Sequence, residues 1–203
     1  MPEIVTTIDL IRHGEPVGGA GRYRGQIDDP LSDKGWRQMR EAVADHCPWD
    51  TIISSPLSRC AAFATELSQR HNLPIYFDER LMEIGFGEWE GLTKEQIVEK
   101  DPEVLRRFYD DPITHRPPGA ERLADFQRRI VAAWDQLLTD HAGQRLLLVG
   151  HAGVIRMVMR HVLDMPLERM FRLHVPNAGI TRIRVDGKGP QAMASLMFHA
   201  GSL

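Results

Sequence analysis

The sequence has few cysteines, no long hydrophobic run and no excess of positive charge. Its two cysteines, Cys47 and Cys60, are spaced for neither a CxxC redox motif nor a zinc site. No stretch reaches the roughly 18 apolar residues of a membrane span, and the net charge of -3 argues against binding to nucleic acid or a membrane surface. The nine histidines contain no HxxxH or HExxH pattern, so we expect no dedicated metal site.

The composition is typical of a globular protein that needs no disulfides. The chain has 203 residues, of which 42% are hydrophobic and 26% charged, so it can bury a sizeable core. We predict a single domain over residues 1–203. Residues 1–5 lack the basic start and apolar length of a signal peptide, so we expect a cytoplasmic protein.

Short apolar runs alternate with helical patterns along the chain. Strands are predicted at residues 7–11, 51–54, 74–77, 145–150, 180–185 and 192–198, the last two forming a hairpin. Helices are predicted at residues 33–46, behind Ser32 as N-cap, and at 57–71, 121–141 and 152–163, with one or two short helices in 93–109 broken at Pro102. This order predicts a three-layer α/β/α sandwich whose central sheet is mainly parallel, with an antiparallel edge strand.

Two arginines and two histidines follow three of the predicted strands. Arg12 and His13 end the first strand, Arg59 lies in the first turn after the second, and His151 follows the fourth. Ligands of open α/β sheets bind at the carboxyl ends of the strands, and helix N-termini and guanidinium groups bind phosphate. Together the four side chains predict a phosphoryl-binding site in which a neutral histidine attacks phosphorus. Taken one at a time, each arginine is equally consistent with a surface residue and each histidine with a hydrogen-bonded core residue.

Such a reaction needs an acid for the departing alkoxide. Three glutamates, Glu83, Glu88 and Glu90, lie in one loop after the third strand, close in sequence to Phe86 and Trp89. Their chemistry alone does not select one of them as the proton donor.

Five motifs in this order resemble the histidine phosphatase (phosphoglycerate mutase-like) superfamily. They are LIRHGE at 10–15, SPLSR at 55–59, LME at 81–83, GEWEG at 87–91 and VGHAGVIR at 149–156, and together they span nearly the whole chain. The resemblance implies that His13 is the phosphorylated nucleophile and Glu83 the proton donor. It further implies that Arg12, Arg59 and His151 hold the phosphoryl group, without a metal or cofactor.

The resemblance implies a phosphatase that acts on a small-molecule phosphate monoester. The pattern GFGEWEGLT at 85–93 is most similar to α-ribazole phosphatases and the broad-specificity phosphatases near them. One alternative is a cofactor-dependent phosphoglycerate mutase, which the compact segment 84–150 disfavours. Another is a non-catalytic anion-binding protein on the same fold, which the five filled catalytic positions disfavour. A homodimer is compatible with the sequence.

The chain departs from the family pattern just after its first motif. Pro16 and Gly19 replace a Ser or Thr and a phosphate-binding Asn, so Arg24 or Gln26 is predicted to substitute. Ala152, which follows His151, is a further candidate for substrate contact. Leaving-group recognition is expected from the region of Phe86, Tyr109 and His115. Glu121, in a variant of the family's Gly-Gly-Glu-Ser turn, is expected to cap a helix.

Overall fold

The computed structural model of the protein describes residues 4–201 and 203. Within these residues six strands form one sheet in the order β3-β2-β4-β1-β5-β6. The strands are β1 (Val5–Arg12), β2 (Thr51–Ser54), β3 (Ile75–Phe77), β4 (Arg145–Gly150), β5 (Ile180–Asp186) and β6 (Met193–Gly201). Strands β1 to β4 are parallel, whereas β5 runs antiparallel to both β1 and the edge strand β6.

Helices cover both faces of the sheet, as a three-layer sandwich requires. They are α1 (Asp33–Val43), α2 (Ser58–His71), α3 (Lys94–Val98), α4 (Val104–Asp110), α5 (Leu123–Asp140) and α6 (Ala152–Val162). Alternate residues of β4 face opposite sides: Leu146 and Leu148 pack in the core under α5 and α6, and Leu147 and Val149 pack in the core under α1 and α2. In the described part of the chain, no helix is both long and apolar enough to cross a membrane.

The predicted elements are confirmed, with shifted ends. Ser32 caps α1 by accepting the N–H of Gly35, as expected, but the helix ends at Val43 because Ala44 takes a positive φ of 44°. The segment 93–109 contains two short helices, α3 and α4, on either side of Pro102. The predicted hairpin is formed by β5 and β6, and β6 continues to Gly201.

The parallel strands end level with one another. Arg12 at the end of β1 lies opposite Gly150 at the end of β4, and Ser54 at the end of β2 lies opposite Val149. Because β2, β4 and β1 are neighbours in the sheet, the residues that follow them meet at one edge. The sheet therefore brings together three segments that lie far apart in the sequence.

A buried carboxylate ties β1 to its surroundings. Asp9 is 1% exposed and accepts the indole N–H of Trp49 at 2.9 Å. It also accepts two N–H groups of Arg182 on β5, at 2.8 and 2.9 Å. This network compensates the cost of placing a charge in the core, which an unpaired carboxylate could not do.

We expect Asp9→Ala to lower the free energy of unfolding by about 3 kcal/mol, because it leaves the Trp49 and Arg182 donors without their acceptor. Urea denaturation measures this loss. Asp45→Ala, at an exposed aspartate, is the matched control and should change stability by less than about 0.5 kcal/mol. Equal effects of the two substitutions would show that the Asp9 network does not contribute to stability.

Candidate active site

The residues predicted to bind a phosphoryl group lie together at the carboxyl edge of the sheet. Arg12, His13, Arg59 and Glu83 line one pocket of about 350 Å³. The ring of His151 packs edge-on against the ring of His13, with 5.2 Å between their centroids. The convergence of strand ends predicted from the sequence is therefore present in the structure.

His13 has the geometry of a nucleophile. Its Nδ1 lies 2.7 Å from the carbonyl oxygen of Gly14, and since a carbonyl only accepts, Nδ1 carries the hydrogen. The Nε2 atom then keeps its lone pair. Burial holds the pKa of His13 well below 6.5, and the nearby positive charges of Arg12 and Arg59 lower it further. His13 is therefore neutral at pH 7.

Arg12 and Arg59 are buried cations with unused donors. Arg12 donates to the carbonyl of Val175 at 2.7 Å, and Arg59 donates to those of Ile27 and Gly25 at 2.6 and 2.8 Å. The Nε atoms of both arginines are buried without a hydrogen-bond partner in the described part of the chain. Burial lowers the pKa of Arg12 to about 10, so it stays charged at neutral pH. Buried charges with free N–H groups fit an anionic ligand.

His151 lies beside His13 and is fully buried. Its Nε2 is 2.8 Å from the hydroxyl of Ser55 and 3.6 Å from the sulfur of Cys60. Burial holds the pKa of His151 well below 6.5, with further lowering by Arg59 and His13. A second neutral imidazole therefore lies beside His13.

Glu83 joins the pocket to the start of α6. Its two carboxylate oxygens accept the backbone N–H groups of Ile84 at 3.0 Å and Gly153 at 3.1 Å. A Cβ atom at residue 153 would lie 2.2 Å from Oε1 of Glu83, so this approach requires glycine. Carboxylates are favoured at helix N-termini by the free N–H groups and the helix dipole.

The other two glutamates of the loop lie elsewhere. Glu88 is exposed and does not line the pocket. Oε1 of Glu90 accepts the backbone N–H groups of Gln26 and Phe86, at 3.2 and 2.9 Å, and so joins two loops. Of the three candidates left open by the sequence, only Glu83 faces the pocket.

Arg129 of α5 holds the loop that carries Glu83. It forms a bidentate ion pair with Glu121, at 2.7 and 2.8 Å. The same guanidinium donates to three carbonyls of the loop, those of Arg80, Met82 and Glu83. The expectation that Glu121 caps a helix is wrong, because α5 begins at Leu123 without a side-chain cap. No sequence pattern indicates this pairing, because it joins a loop residue to a helix residue.

Arg24 lies in the wall of the pocket and also holds the loop after β1. Its Nε pairs with Asp29 at 3.0 Å, and its Nη2 donates to the carbonyls of Val17 and Gly19 at 2.8 and 2.7 Å. Nη1 has no partner within residues 4–201 and 203. Arg24 can therefore offer one N–H group to a ligand in the region where the family has an asparagine.

The other predicted binding residues divide into two groups. Ala152, the first residue of α6, and Phe86 and Tyr109 line the pocket. Gln26 and His115 do not, and the Gln26 amide instead donates to the carbonyl of Glu83 at 3.2 Å.

Several residues that line the pocket have no role predicted from the sequence, among them two aromatic residues and one arginine. Tyr23, Arg156 and Phe171 complete the outer wall of the pocket. The Tyr23 hydroxyl lies 2.6 Å from that of Tyr109 on α4. Arg156 stands one helical turn after Ala152, and this i, i+4 spacing in α6 could have indicated a shared face.

A second cavity, of about 390 Å³, lies between β3 and α5 and is lined largely by apolar residues such as Ile130, Trp134 and Leu137. It contains none of the predicted catalytic residues. Because binding sites need convergent polar groups rather than volume alone, we assign the site to the pocket around His13. The described residues contain no group of three or more His, Cys, Asp or Glu side chains able to hold a metal ion.

The family assignment follows from comparison with known proteins. The family model of the histidine phosphatase superfamily (branch 1) matches residues 8–195. The chain therefore belongs to this superfamily, as the sequence motifs predicted. The native structure of a mycobacterial glucosyl-3-phosphoglycerate phosphatase is similar, with a TM-score of 0.84, 27% identity, and coverage of 98% of this chain and 100% of that chain.

Relatives in the superfamily carry several different names. A bifunctional protein of Mycobacterium tuberculosis is 33% identical over 87% of this chain but 49% of its own length, so the chain spans about half of that relative. Phosphoserine phosphatase 1 of Hydrogenobacter thermophilus is 30% identical, over 87% of this chain and 85% of that protein. The adenosylcobalamin/α-ribazole phosphatase of Salmonella typhimurium is 28% identical, over 82% and 84%.

The neutral buried histidines predict a loss of stability in acid. Below pH 6.5 the unfolded chain binds protons on His13 and His151, whereas the folded protein does not. The contribution of these neutral histidines to the free energy of unfolding is present above pH 6.5. Below that pH it falls by up to about 1.4 kcal/mol per pH unit per histidine. We expect His13→Asn to weaken this dependence in urea denaturation at about pH 7.5 and about pH 5.

The control for this measurement is His46→Asn, at an exposed histidine. It should keep the pH dependence of the parent protein. An unchanged dependence in His13→Asn would contradict a neutral buried imidazole at this position.

Proposed function

We propose that this protein is a phosphomonoesterase that works through a phosphohistidine on His13. The observation that carries the proposal is the free Nε2 lone pair of His13 beside two guanidinium groups whose buried Nε atoms have no hydrogen-bond partner within residues 4–201 and 203. Fixed positive groups around a phosphoryl group stabilise the charge that develops on its oxygens. Superfamily relatives and structural neighbours named as phosphatases support the same reaction class.

The reaction has two steps. In the first, Nε2 of His13 bonds to phosphorus as the ester P–O bond breaks, and the Glu83 carboxyl gives its proton to the departing oxygen. In the second, Glu83 takes a proton from water, whose oxygen bonds to phosphorus as the P–N bond breaks. Inorganic phosphate leaves, and His13 and Glu83 return to their starting states. The Gly14 carbonyl keeps the imidazole oriented throughout.

The substrate class is a small-molecule phosphate monoester. The relatives are named for different substrates, including phosphoserine and α-ribazole phosphate. Hydrolysis of α-ribazole 5′-phosphate, which the local sequence pattern indicates, therefore stays a prediction. A screen that measures phosphate release from this ester and from sugar phosphates tests it directly.

We expect His13→Ala to reduce turnover of p-nitrophenyl phosphate by at least about 10³-fold, because it removes the imidazole that forms the covalent intermediate. Rapid denaturation during turnover should trap phosphate on the wild-type protein at an acid-labile, base-stable site. The exposed His46→Asn variant is the control and should retain both signals. Turnover that survives in His13→Ala would overturn the assigned nucleophile.

Glu83→Gln should separate substrates by their leaving groups. An alkyl phosphate, which needs a proton on the departing oxygen, should slow by about 10²-fold or more. The p-nitrophenolate ion leaves unprotonated, so p-nitrophenyl phosphate should slow far less in the phosphorylation step. Single-turnover rates for the two esters measure this difference. Equal slowing would exclude Glu83 as the general acid.

Arg129→Met should reproduce this pattern in weaker form, since it releases the loop that positions Glu83. We expect the alkyl ester to slow by about tenfold more than p-nitrophenyl phosphate. Arg128→Met removes the exposed neighbouring arginine on α5 and is the matched control. A uniform loss for both esters in Arg129→Met would indicate a structural role alone.

A further inference from the structure

Beyond the groups that would hold the phosphoryl group, the pocket carries additional positive charge. Its outer lining includes Arg22, Lys94 and Arg156, and Glu83 is the one carboxylate among the described lining residues. A phosphate monoester brings a charge of about -2, which Arg12 and Arg59 already match. The three outer cations outnumber the single carboxylate of the lining, so positive charge remains in excess when only a phosphoryl group is bound.

Arg156 is the most constrained of these cations. Its Nε donates to the carbonyl of Leu173 at 2.8 Å, which fixes the guanidinium plane. Its terminal nitrogens have no hydrogen-bond partner within the described residues, and no carboxylate there forms an ion pair with it. Glu83 is near enough to favour the charged form, yet its oxygens accept the N–H groups of Ile84 and Gly153.

The surroundings of Arg156 would strengthen an ion pair with a charged ligand. Burial lowers the pKa of Arg156, which shows the cost of holding its charge there. Its guanidinium carbon lies 5.9 Å from the ring centroid of Phe171, and Tyr109 stands beside that ring at a centroid distance of 6.0 Å. Apolar walls strengthen an ion pair, and the planar guanidinium fork matches a carboxylate with two parallel hydrogen bonds.

We propose that Arg156 forms a leaving-group subsite for a carboxylate, so that the preferred substrates are phosphate monoesters of hydroxy acids or hydroxy amino acids. The proposal rests on the phosphatase reaction proposed above and names its substrate class. It competes directly with α-ribazole 5′-phosphate, because an uncharged leaving group of that kind leaves Arg156 without a partner. Arg156 would bind the substrate without touching the reacting atoms.

The test compares two esters that differ in one group. In 3-phosphoglycerate and glycerol 3-phosphate both leaving groups are primary alkoxides, but a carboxylate in the first replaces a hydroxymethyl group in the second. Phosphate release gives kcat/KM for each ester. We expect the wild-type protein to prefer 3-phosphoglycerate by at least about tenfold, as is typical of a charged hydrogen bond.

Variants then assign the preference to one side chain. In Arg156→Met the preference should fall to about twofold or less, whereas Arg156→Lys, which keeps the charge but loses the fork, should retain an intermediate ratio. Arg128→Met, on the outer surface of α5, should keep the wild-type ratio. Thermal unfolding of each variant shows that it is folded, and the ratio of the two esters does not depend on the fraction of active protein.

Binding measurements separate this proposal from the proposed catalysis. Calorimetric titration of both esters into His13→Ala, with and without Arg156→Met, does not require turnover. Tighter binding of 3-phosphoglycerate that depends on Arg156 supports the subsite even if no ester is hydrolysed, a result that would overturn the phosphatase proposal alone. If the protein hydrolyses p-nitrophenyl phosphate but has equal kcat/KM and equal affinity for the two esters, the subsite proposal is overturned and the phosphatase proposal stands.

Discussion

The buried positive charge of Arg12 and Arg59 is the constraint on which the site depends. Backbone carbonyls hold both guanidinium groups in place, and among the described residues neither buried Nε atom has a hydrogen-bond partner. The same charge that favours an anion also disfavours a proton on His13. Burial and the charge of the two arginines together keep the His13 imidazole neutral, as its proposed role requires.

The sequence predicts the inner part of this site well because topology determines it. Buried apolar runs that alternate with helices indicate parallel strands, and parallel strands place their carboxyl ends along one edge. Arg12 ends β1, His13 and His151 directly follow β1 and β4, and Arg59 lies in the first turn of α2, a short turn after β2, so their meeting depends little on long loops. Because Arg12 on β1 pairs with Gly150 on β4, the next residues, His13 and His151, lie level with each other at the edge of the sheet.

The outer part could not be predicted in the same way. Glu83 and Glu90 lie seven residues apart in one loop. The path of that loop directs Glu83 into the pocket, whereas Glu90 accepts two backbone N–H groups elsewhere. The pairing of Glu121 with Arg129 depends on where α5 begins, which the local pattern placed two residues early. Arg156 lies in α6, whose apolar spacing indicates a core helix. Its place in the pocket wall depends on the packing of its guanidinium group beside Phe171, which comes from a distant part of the chain.

The hydroxyl pair of Tyr23 and Tyr109 joins the loop after β1 to helix α4 across the mouth of the pocket. Burial and this shared hydrogen bond both raise the pKa of Tyr23, so Tyr23 stays un-ionised. A replacement of either tyrosine leaves the other hydroxyl without its partner in a partly buried place. The two residues lie 86 positions apart in the sequence, so a single side-chain hydrogen bond couples two distant segments of the chain at the pocket mouth, and a change at either position alters the surroundings of the other.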